Sequence, residues 1–215
     1  MKIAVFGANG AIGRVIVDEA LTRGHQVTAA VRSPDKVDAS HADLDVVKAF
    51  IDDQASVESA VSGHDAVVDC VGGLNHENTR ISIECMEPLT AGLRNAGVRR
   101  LLVVGTAGTL EVAPGRMRKD EPDFPEFLAG EAQAQVEVQQ FLRALPEDDL
   151  EWTYFSPPAL IEAGERSGKV ELGLDELPKN AAGKSYISNE DFAMATIDEL
   201  ENPRHLRRRF TAVSA

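Results

Sequence analysis

The sequence has little cysteine, few aromatic residues and no long apolar run. Its two cysteines, Cys70 and Cys85, form neither a CxxC pair nor a zinc-ligand spacing, so we predict buried thiols, no disulfide framework and no metal site. No stretch reaches the roughly 18 apolar residues of a membrane helix. The opening MKIAVFGANG lacks the apolar core and cleavage site of a signal peptide. These absences predict a cytoplasmic protein that does not bind membranes.

Positive charge is also scarce. The chain carries 35 acidic residues against 22 lysines and arginines, a formal net charge of −13. Such a surface repels phosphate backbones, so we predict no nucleic-acid partner. The basic cluster of Arg204 and Arg207–Arg209 is the local exception, and we expect it to lie on the solvated surface. With 215 residues, 43% of them hydrophobic, the chain is long enough for one domain with an ordinary core.

The first 105 residues alternate short apolar runs with amphipathic stretches. Continuous apolar runs are typical of parallel strands that are covered on both faces, and a four-residue apolar spacing is typical of helices. The order predicts a parallel sheet with right-handed crossovers. The predicted strands are Lys2–Phe6, Gln26–Val31, Asp45–Ala49, Asp65–Val71 and Arg100–Val104, and the predicted helices are Ala11–Arg23, Ala55–Val61 and Thr79–Ala96.

The second half is less regular. We predict a loop over Thr106–Phe124, a helix over Pro125–Ala144, a strand over Trp152–Phe155, an irregular excursion over Pro157–Lys184, a helix capped by Ser188 with Asp191, and a final edge strand over Arg208–Val213. The predicted architecture is a single α/β domain spanning 1–215. Residues 1–105 form its cofactor half and 106–215 its substrate half, with the excursion as a small C-terminal substrate lid.

A glycine-rich turn joins the first strand to the first helix. It runs Gly7-Ala8-Asn9-Gly10-Ala11-Ile12-Gly13. In dinucleotide sites one such glycine makes the tight turn, another lets the backbone approach the pyrophosphate, and the last lets helix and sheet pack closely. The helix N-terminus offers free N–H groups to the phosphates. We therefore predict that Gly7, Asn9, Gly10, Ala11, Ile12 and Gly13 bind a dinucleotide.

The glycine spacing is GxxGxxG, and further segments accompany it along the chain. They are VTAAVRSP, GVRRLLVVGTAGTLEVAPG, WTYFSPPA, ISNEDFAMATIDELENP and RRRFT. Together they resemble the atypical short-chain dehydrogenase/reductases, and most closely the NmrA-like branch that includes NADH-flavin reductases and biliverdin reductase B-like proteins. The resemblance implies a Rossmann-type, doubly wound parallel sheet and a nicotinamide cofactor.

The residue at the end of the second strand discriminates between NAD and NADP. An NAD site places an acidic residue there. This sequence has Arg32 followed by Ser33. Because arginine offers a planar fork to a phosphate dianion, we predict that NADP(H) is preferred, with NAD(H) also possible. A surface charge at a strand end is the alternative for Arg32. Arg14 could reach the same phosphate.

Other contacts are implied by the resemblance alone. Val71, Gly72 and Gly73 would pass beneath the cofactor, Thr106 would stand near the nicotinamide, and Ser156 and Pro157 would lie beside its amide. Relatives carry an acidic residue that contacts adenine where this chain has Phe50, which either stacks on adenine or fills the core. His76, after the fourth strand, either faces the substrate or lies on the surface.

The usual catalytic pair of the superfamily, YxxxK, is missing. Phe127 occupies the position of the tyrosine and Glu131 that of the lysine, and neither residue can perform the acid/base function of that pair. Reduction of a flavin by direct hydride transfer does not need the pair, because the ring can take its proton from solvent. We therefore predict an NAD(P)H-dependent reductase of flavin or a similar planar acceptor, in which flavin is a substrate and not a bound group.

For catalysis only Thr106 is predicted, as a hydrogen-bond donor near the small-molecule acceptor. Two other functions remain open. One is a non-catalytic, redox-sensing regulator of the NmrA type, and the other is an epimerase or dehydratase of the extended family. We expect a monomer or a dimer.

Overall fold

The computed structural model describes residues 1–72 and 80–215, which build a central sheet covered by helices on both faces. Its twelve strands among these residues are β1 (Lys2–Phe6), β2 (Gln26–Val31), β3 (Leu44–Lys48), β4 (Ala66–Asp69), β5 (Arg100–Val104), β6 (Glu111–Ala113), β7 (Arg116–Met117), β8 (Glu151–Ser156), β9 (Leu160–Glu162), β10 (Val170–Gly173), β11 (Tyr186–Ser188) and β12 (Arg208–Ser214). The helices are α1 (Ala11–Thr22), α2 (Gln54–Val61), α3 (Ile81–Glu84), α4 (Met86–Ala96), α5 (Ala129–Ala144) and α6 (Asn189–Glu201).

Eight strands form the main sheet in the order β10-β12-β8-β5-β4-β1-β2-β3, and every pair is parallel except β10 with β12. The predicted Rossmann-type α/β fold is thus confirmed. The chain leaves β1 towards β2 on one side and later reaches β4 on the other, so the strand order reverses between β1 and β4. In such sheets a ligand crevice lies outside the carboxyl ends of the strands at this reversal.

Each face of the sheet carries its own apolar core. On one face α1 and α6 pack against the strands, and the ring of Phe155 stacks on Phe192 and Phe210 with centroids 4.0 Å apart in both pairs. On the other face α2, α4 and α5 cover the sheet with fully buried residues such as Leu89 and Leu142. These two layers hold the carboxyl ends of the strands in fixed positions.

The long helix predicted over Thr79–Ala96 is wrong in its continuity, and Thr79 itself lies outside the described residues. The structure has the short α3, then Cys85, then α4. Pro88 lacks the N–H that a continuous helix would donate to the carbonyl of Glu84, which explains the interruption.

The C-terminal strand is not at an edge. β12 lies between β8 and β10, because part of the predicted irregular excursion forms β10 and pairs with it. The predicted solvated basic cluster is wrong for Arg209. Its side chain is buried, pairs with Asp175 at 2.6 Å and donates to the carbonyl of Thr109. Likewise, the predicted loop over Thr106–Phe124 contains the hairpin of β6 and β7.

Candidate nucleotide and acceptor site

The three glycines of the first turn have three different surroundings. Gly7 has φ of +75°, and a Cβ there would lie 2.8 Å from the carbonyl oxygen of Cys70. A Cβ on Gly13 would clash with the backbone of Gly7 and Ala8. A Cβ on Gly10 would meet only the carbonyl oxygen of Gly7, at 3.2 Å. Gly7 therefore serves the turn and Gly13 the packing, while Gly10 keeps open the space above the turn.

Helix α1 begins at this turn with no side chain capping it. Gly10 is the N-cap, and its amide donates to the carbonyl of Gly7 at 2.9 Å. The first amides of a helix have no partner within the helix, and they carry the positive end of its dipole. At Ala11, Ile12 and Gly13 these amides are available to an anion, so the turn fits the pyrophosphate of a dinucleotide.

A narrow groove runs from the glycine turn past the ends of β1, β2 and β3. We call it the turn groove, and among its lining residues are Gly7, Asn9, Arg32, Asp52 and Val71. The Arg32 side chain is exposed, and no described carboxylate lies within 4 Å of its guanidinium. This arrangement leaves the guanidinium available to a phosphate group at the outer end of the groove.

The structure decides one of the two alternatives for Phe50, and its stacking on adenine stays a prediction. Phe50 is 42% exposed, so it does not fill the core, and Lys48 lies 5.5 Å from its ring centroid. Ile51 and Asp52 line the groove instead. Asp52 was not predicted from the sequence, because relatives have the acidic residue before the aliphatic one, and in this chain the order is reversed.

Beyond Val71 the crevice widens into a cavity of about 340 Å³ at the carboxyl ends of β4, β5 and β8. We call it the main cavity. Its walls are mostly apolar, with Ile12, Val104, Phe124, Leu128, Pro157 and Ile161 among them. Val71 lines both the turn groove and the main cavity, so the two adjoin. One extended ligand can therefore occupy both.

Thr106 lies in the wall of the main cavity, directly after β5. Its Oγ1 accepts a hydrogen bond from the amide of Gly108 at 3.3 Å, and its carbonyl accepts one from the hydroxyl of Thr109 at 3.1 Å. Because the side-chain oxygen already has a donor, the hydroxyl proton of Thr106 can be given to a ligand. The role of Thr106 as a donor to the acceptor stays a prediction.

Glu131 also lines the main cavity, although sequence reasoning had dismissed it as a lost lysine. It is 7% exposed and its Oε1 accepts from Nε2 of Gln135 at 3.1 Å. Oε1 of Gln135 in turn accepts from the hydroxyl of Tyr154 at 2.7 Å. Nothing in the sequence links Tyr154 to Glu131, which come together only when α5 packs against β8.

A second buried carboxyl, Asp69, ends β4 behind the cavity and is 2% exposed. Burial raises its pKa to about 7, against the lowering effect of a hydrogen bond from the amide of Val71, and the charge of Glu131 adds to the rise. Desolvation and the nearby Asp69 also raise the pKa of the Cys70 thiol, so this cysteine stays protonated. Cys70 is half-buried and lines the main cavity, so the expectation of a buried thiol holds only for Cys85.

The other predicted residues lie in several different places. Gly72 and Pro157 line the main cavity, whereas Ser156 is fully buried at the end of β8 and does not line it. Gly73 and His76 lie outside the described residues. Phe127, at the position of the usual tyrosine, is 69% exposed and is not among the residues that line the cavity. Within the described ranges, no helix is long and apolar enough to cross a bilayer.

An oxidoreductase-like Rossmann protein with a nucleotide crevice is the class that this fold and site define. The family model described as NAD(P)H-binding matches residues 7–203, which contain the main cavity and all of the turn groove except Phe6. The chain belongs to this NAD(P)H-binding family, of the atypical short-chain dehydrogenase/reductase, NmrA-like type. The predicted family is confirmed, and so is a nicotinamide nucleotide as its cofactor class.

Three solved structures are similar to the chain over nearly its whole length. A provisionally named exported protein of Burkholderia pseudomallei is 41% identical, with 99% of each chain covered and a TM-score of 0.89. A provisionally named epimerase of Bacteroides thetaiotaomicron is 37% identical, with 99% and 96% covered and a TM-score of 0.90. A provisionally named NADH-flavin reductase of Streptococcus pneumoniae is 33% identical, with both chains fully covered and a TM-score of 0.87.

Proposed function

We propose that the protein is an NAD(P)H-dependent reductase of flavin or a similar planar, conjugated acceptor. One observation carries the proposal: the apolar main cavity adjoins the turn groove at Val71, beside the reversal of the strand order. Its volume of about 340 Å³ is within the range of small-molecule sites. Similarity to the S. pneumoniae protein, provisionally named an NADH-flavin reductase, supports the same reaction.

For the cofactor we propose NADP(H) over NAD(H). Arg32 lies in the turn groove where an acidic residue would select NAD, and its guanidinium has no carboxylate partner among the described residues. A planar guanidinium binds a phosphate through two parallel hydrogen bonds, which a ribose hydroxyl cannot offer. Asp52, in the same groove, is suited to accept hydrogen bonds from the adenosine and does not compete for the phosphate.

The protein's own contribution to the reaction is placement. When bound, the reduced nicotinamide supplies a hydride. The apolar walls exclude water and hold a flat ring in one orientation, and Thr106 donates a hydrogen bond to a heteroatom of that ring. Neither step needs the missing tyrosine, whose replacement Phe127 does not line the cavity. Flavin therefore acts as a substrate that enters and leaves.

Consumption of NADPH and of NADH with riboflavin or FMN as acceptor tests the proposal, with Gly10→Val as the negative control. We expect turnover with a flavin, faster with NADPH at low nucleotide concentration. Thr106→Val should lower the rate only about 2- to 13-fold, because one neutral hydrogen bond is worth about 0.5–1.5 kcal/mol.

Two other results would contradict the proposal. Tight NADPH binding without turnover of any flavin would support the non-catalytic regulator instead. Oxidation of a sugar nucleotide would support an epimerase, as the B. thetaiotaomicron protein is provisionally named.

A further inference from the structure

One side chain in the wall of the main cavity has a buried carboxylate oxygen with no hydrogen-bond partner among the described residues. This oxygen is Oε2 of Glu131, a residue only 7% exposed. Leaving such an oxygen without a donor is costly, and buried polar atoms in folded proteins are nearly always satisfied. Since the residue lines a cavity, a ligand is the natural source of the missing donor.

The carboxylate is held in one orientation by a chain of hydrogen bonds. The hydroxyl of Tyr154 donates to Oε1 of Gln135 at 2.7 Å, which turns the amide nitrogen of Gln135 towards Glu131. That nitrogen donates to Oε1 of Glu131 at 3.1 Å. One carboxylate oxygen is therefore occupied and the other is left as a fixed acceptor.

The position of the Glu131 carboxylate relates it to the nucleotide. A Cβ on Gly72 would lie 3.0 Å from Oε1 of Glu131 and 3.6 Å from the side chain of Ser82, whose Oγ is also buried and unpartnered among the described residues. Two side chains that each carry one unpartnered polar atom thus flank the bare backbone of Gly72, and the Glu131 oxygen nearest to it is the one that accepts from Gln135. This glycine comes directly after Val71, the residue shared by the turn groove and the main cavity.

We infer that the Glu131 carboxylate binds the ribose hydroxyls on the nicotinamide side of the cofactor. A dinucleotide with its pyrophosphate on the glycine turn and its adenosine in the turn groove must extend its second nucleoside past Val71 and Gly72. The vicinal hydroxyls of that ribose are donors, and a carboxylate is a suitable acceptor for both, as at the adenosine ribose of NAD sites. The second ribose is thus bound by a hydrogen-bond acceptor of the protein, the Glu131 carboxylate.

The inference rests on the proposed nucleotide binding, and titrations with two ligands separate them. NADPH carries both ribosides, whereas adenosine phosphorylated at its 2′ and 5′ positions carries only the adenosine part. In Glu131→Gln the new side-chain oxygen must face the amide nitrogen of Gln135 to accept its hydrogen bond. The new NH₂ group then takes the place of Oε2, the free acceptor of the wild-type carboxylate. We expect NADPH affinity to fall about 10- to 100-fold, since a hydrogen bond to a charged group is lost. Affinity for the bisphosphate should not change.

Glu126→Gln is the matched control, an exposed glutamate on the same segment outside the cavity lining, and it should leave both affinities unchanged. A second variant, Glu131→Leu, removes the unpartnered oxygen altogether. It should weaken NADPH in the same way while the unliganded protein melts at or above the wild-type temperature, because a buried unsatisfied charge has been removed.

Several outcomes would overturn the inference. Unchanged NADPH affinity in Glu131→Gln would do so and would leave the proposed function intact. If turnover fell at the same time, Glu131 would act on the flavin or other substrate and not on the cofactor. Equal weakening of both ligands, or a lower melting temperature in Glu131→Leu, would show a structural role. If the wild-type protein binds neither ligand, the proposed function itself fails and the inference with it.

Discussion

Gly10 and Gly13, three residues apart in the same turn, should respond in opposite ways to an added side chain. A Cβ on Gly13 would lie 2.9 Å from the carbonyl carbon of Gly7 and 3.0 Å from Cα of Ala8, and backbone atoms cannot rotate away. A Cβ on Gly10 meets only the carbonyl oxygen of Gly7, at 3.2 Å, and its φ of −75° and ψ of 167° suit a β-branched residue. The smaller substitution should therefore cost more stability.

The expected magnitudes follow from these contacts. Gly13→Ala should lower the free energy of unfolding by about 1–3 kcal/mol, the usual cost of overpacking. For a chain of this length that corresponds to a melting temperature roughly 2–12 °C lower. Gly10→Val should stay within about 1 kcal/mol of wild type, because the stiffer unfolded chain offsets the one tight contact. It should nevertheless bind no NADPH, since its methyl groups occupy the space that the pyrophosphate needs.

Thermal unfolding of the unliganded variants and fluorescence titration with NADPH measure the two effects separately. The reasoning would be refuted if Gly10→Val unfolded as readily as Gly13→Ala. It would also be refuted if Gly10→Val bound NADPH like the wild-type protein, because the open space at Gly10 would then serve no ligand.

Three further predictions concern charged and aromatic positions. Arg32→Asp should weaken NADPH by about 1.5–3 kcal/mol and leave NADH unchanged or tighter in a titration with both; equal effects would contradict the assigned preference. Asp69→Asn should stabilise the fold in urea titrations, with a gain that grows as the pH rises from about 4 to 7 and is then constant. Protonated Asp69 is favoured in the folded state, because its pKa there is about 7 against an ordinary value of 3.8, so its ionisation in the folded protein costs up to about 4 kcal/mol; a gain independent of pH would refute this. Phe127→Tyr combined with Glu131→Lys should not raise flavin reduction, since Phe127 is 69% exposed outside the cavity; faster turnover would revive the usual dyad.

Much of the nucleotide half was predictable because its signals are local. A strand, a glycine turn and a helix follow one another within 22 residues, and the close contacts at Gly10 and Gly13 come from the same turn. Arg32 directly follows a strand whose end must reach the crevice, so its place in the turn groove follows from the strand order. The parallel sheet itself followed from the alternation of apolar runs and amphipathic stretches.

The acceptor side was decided by tertiary packing, since its groups come from distant segments with no shared pattern. Glu131 had been judged only against the lysine it replaces. Its chemistry arises because Gln135 and Tyr154 orient it and Gly72 lies against it. In the same way, the place of β12 inside the sheet depends on β10, which has too few residues to show a strand pattern of its own.

The sequence by itself therefore determined the family, the sheet and the nucleotide turn, because these depend on residues that are neighbours in the chain. Only the tertiary structure decided which carboxylates face the crevice and which arginine is internal. Burial and hydrogen bonding between remote segments set those properties: Arg209 is buried because Asp175 and Thr109 meet it from two separate loops, and the pKa of Asp69 rises because the packed sheet keeps water away from it.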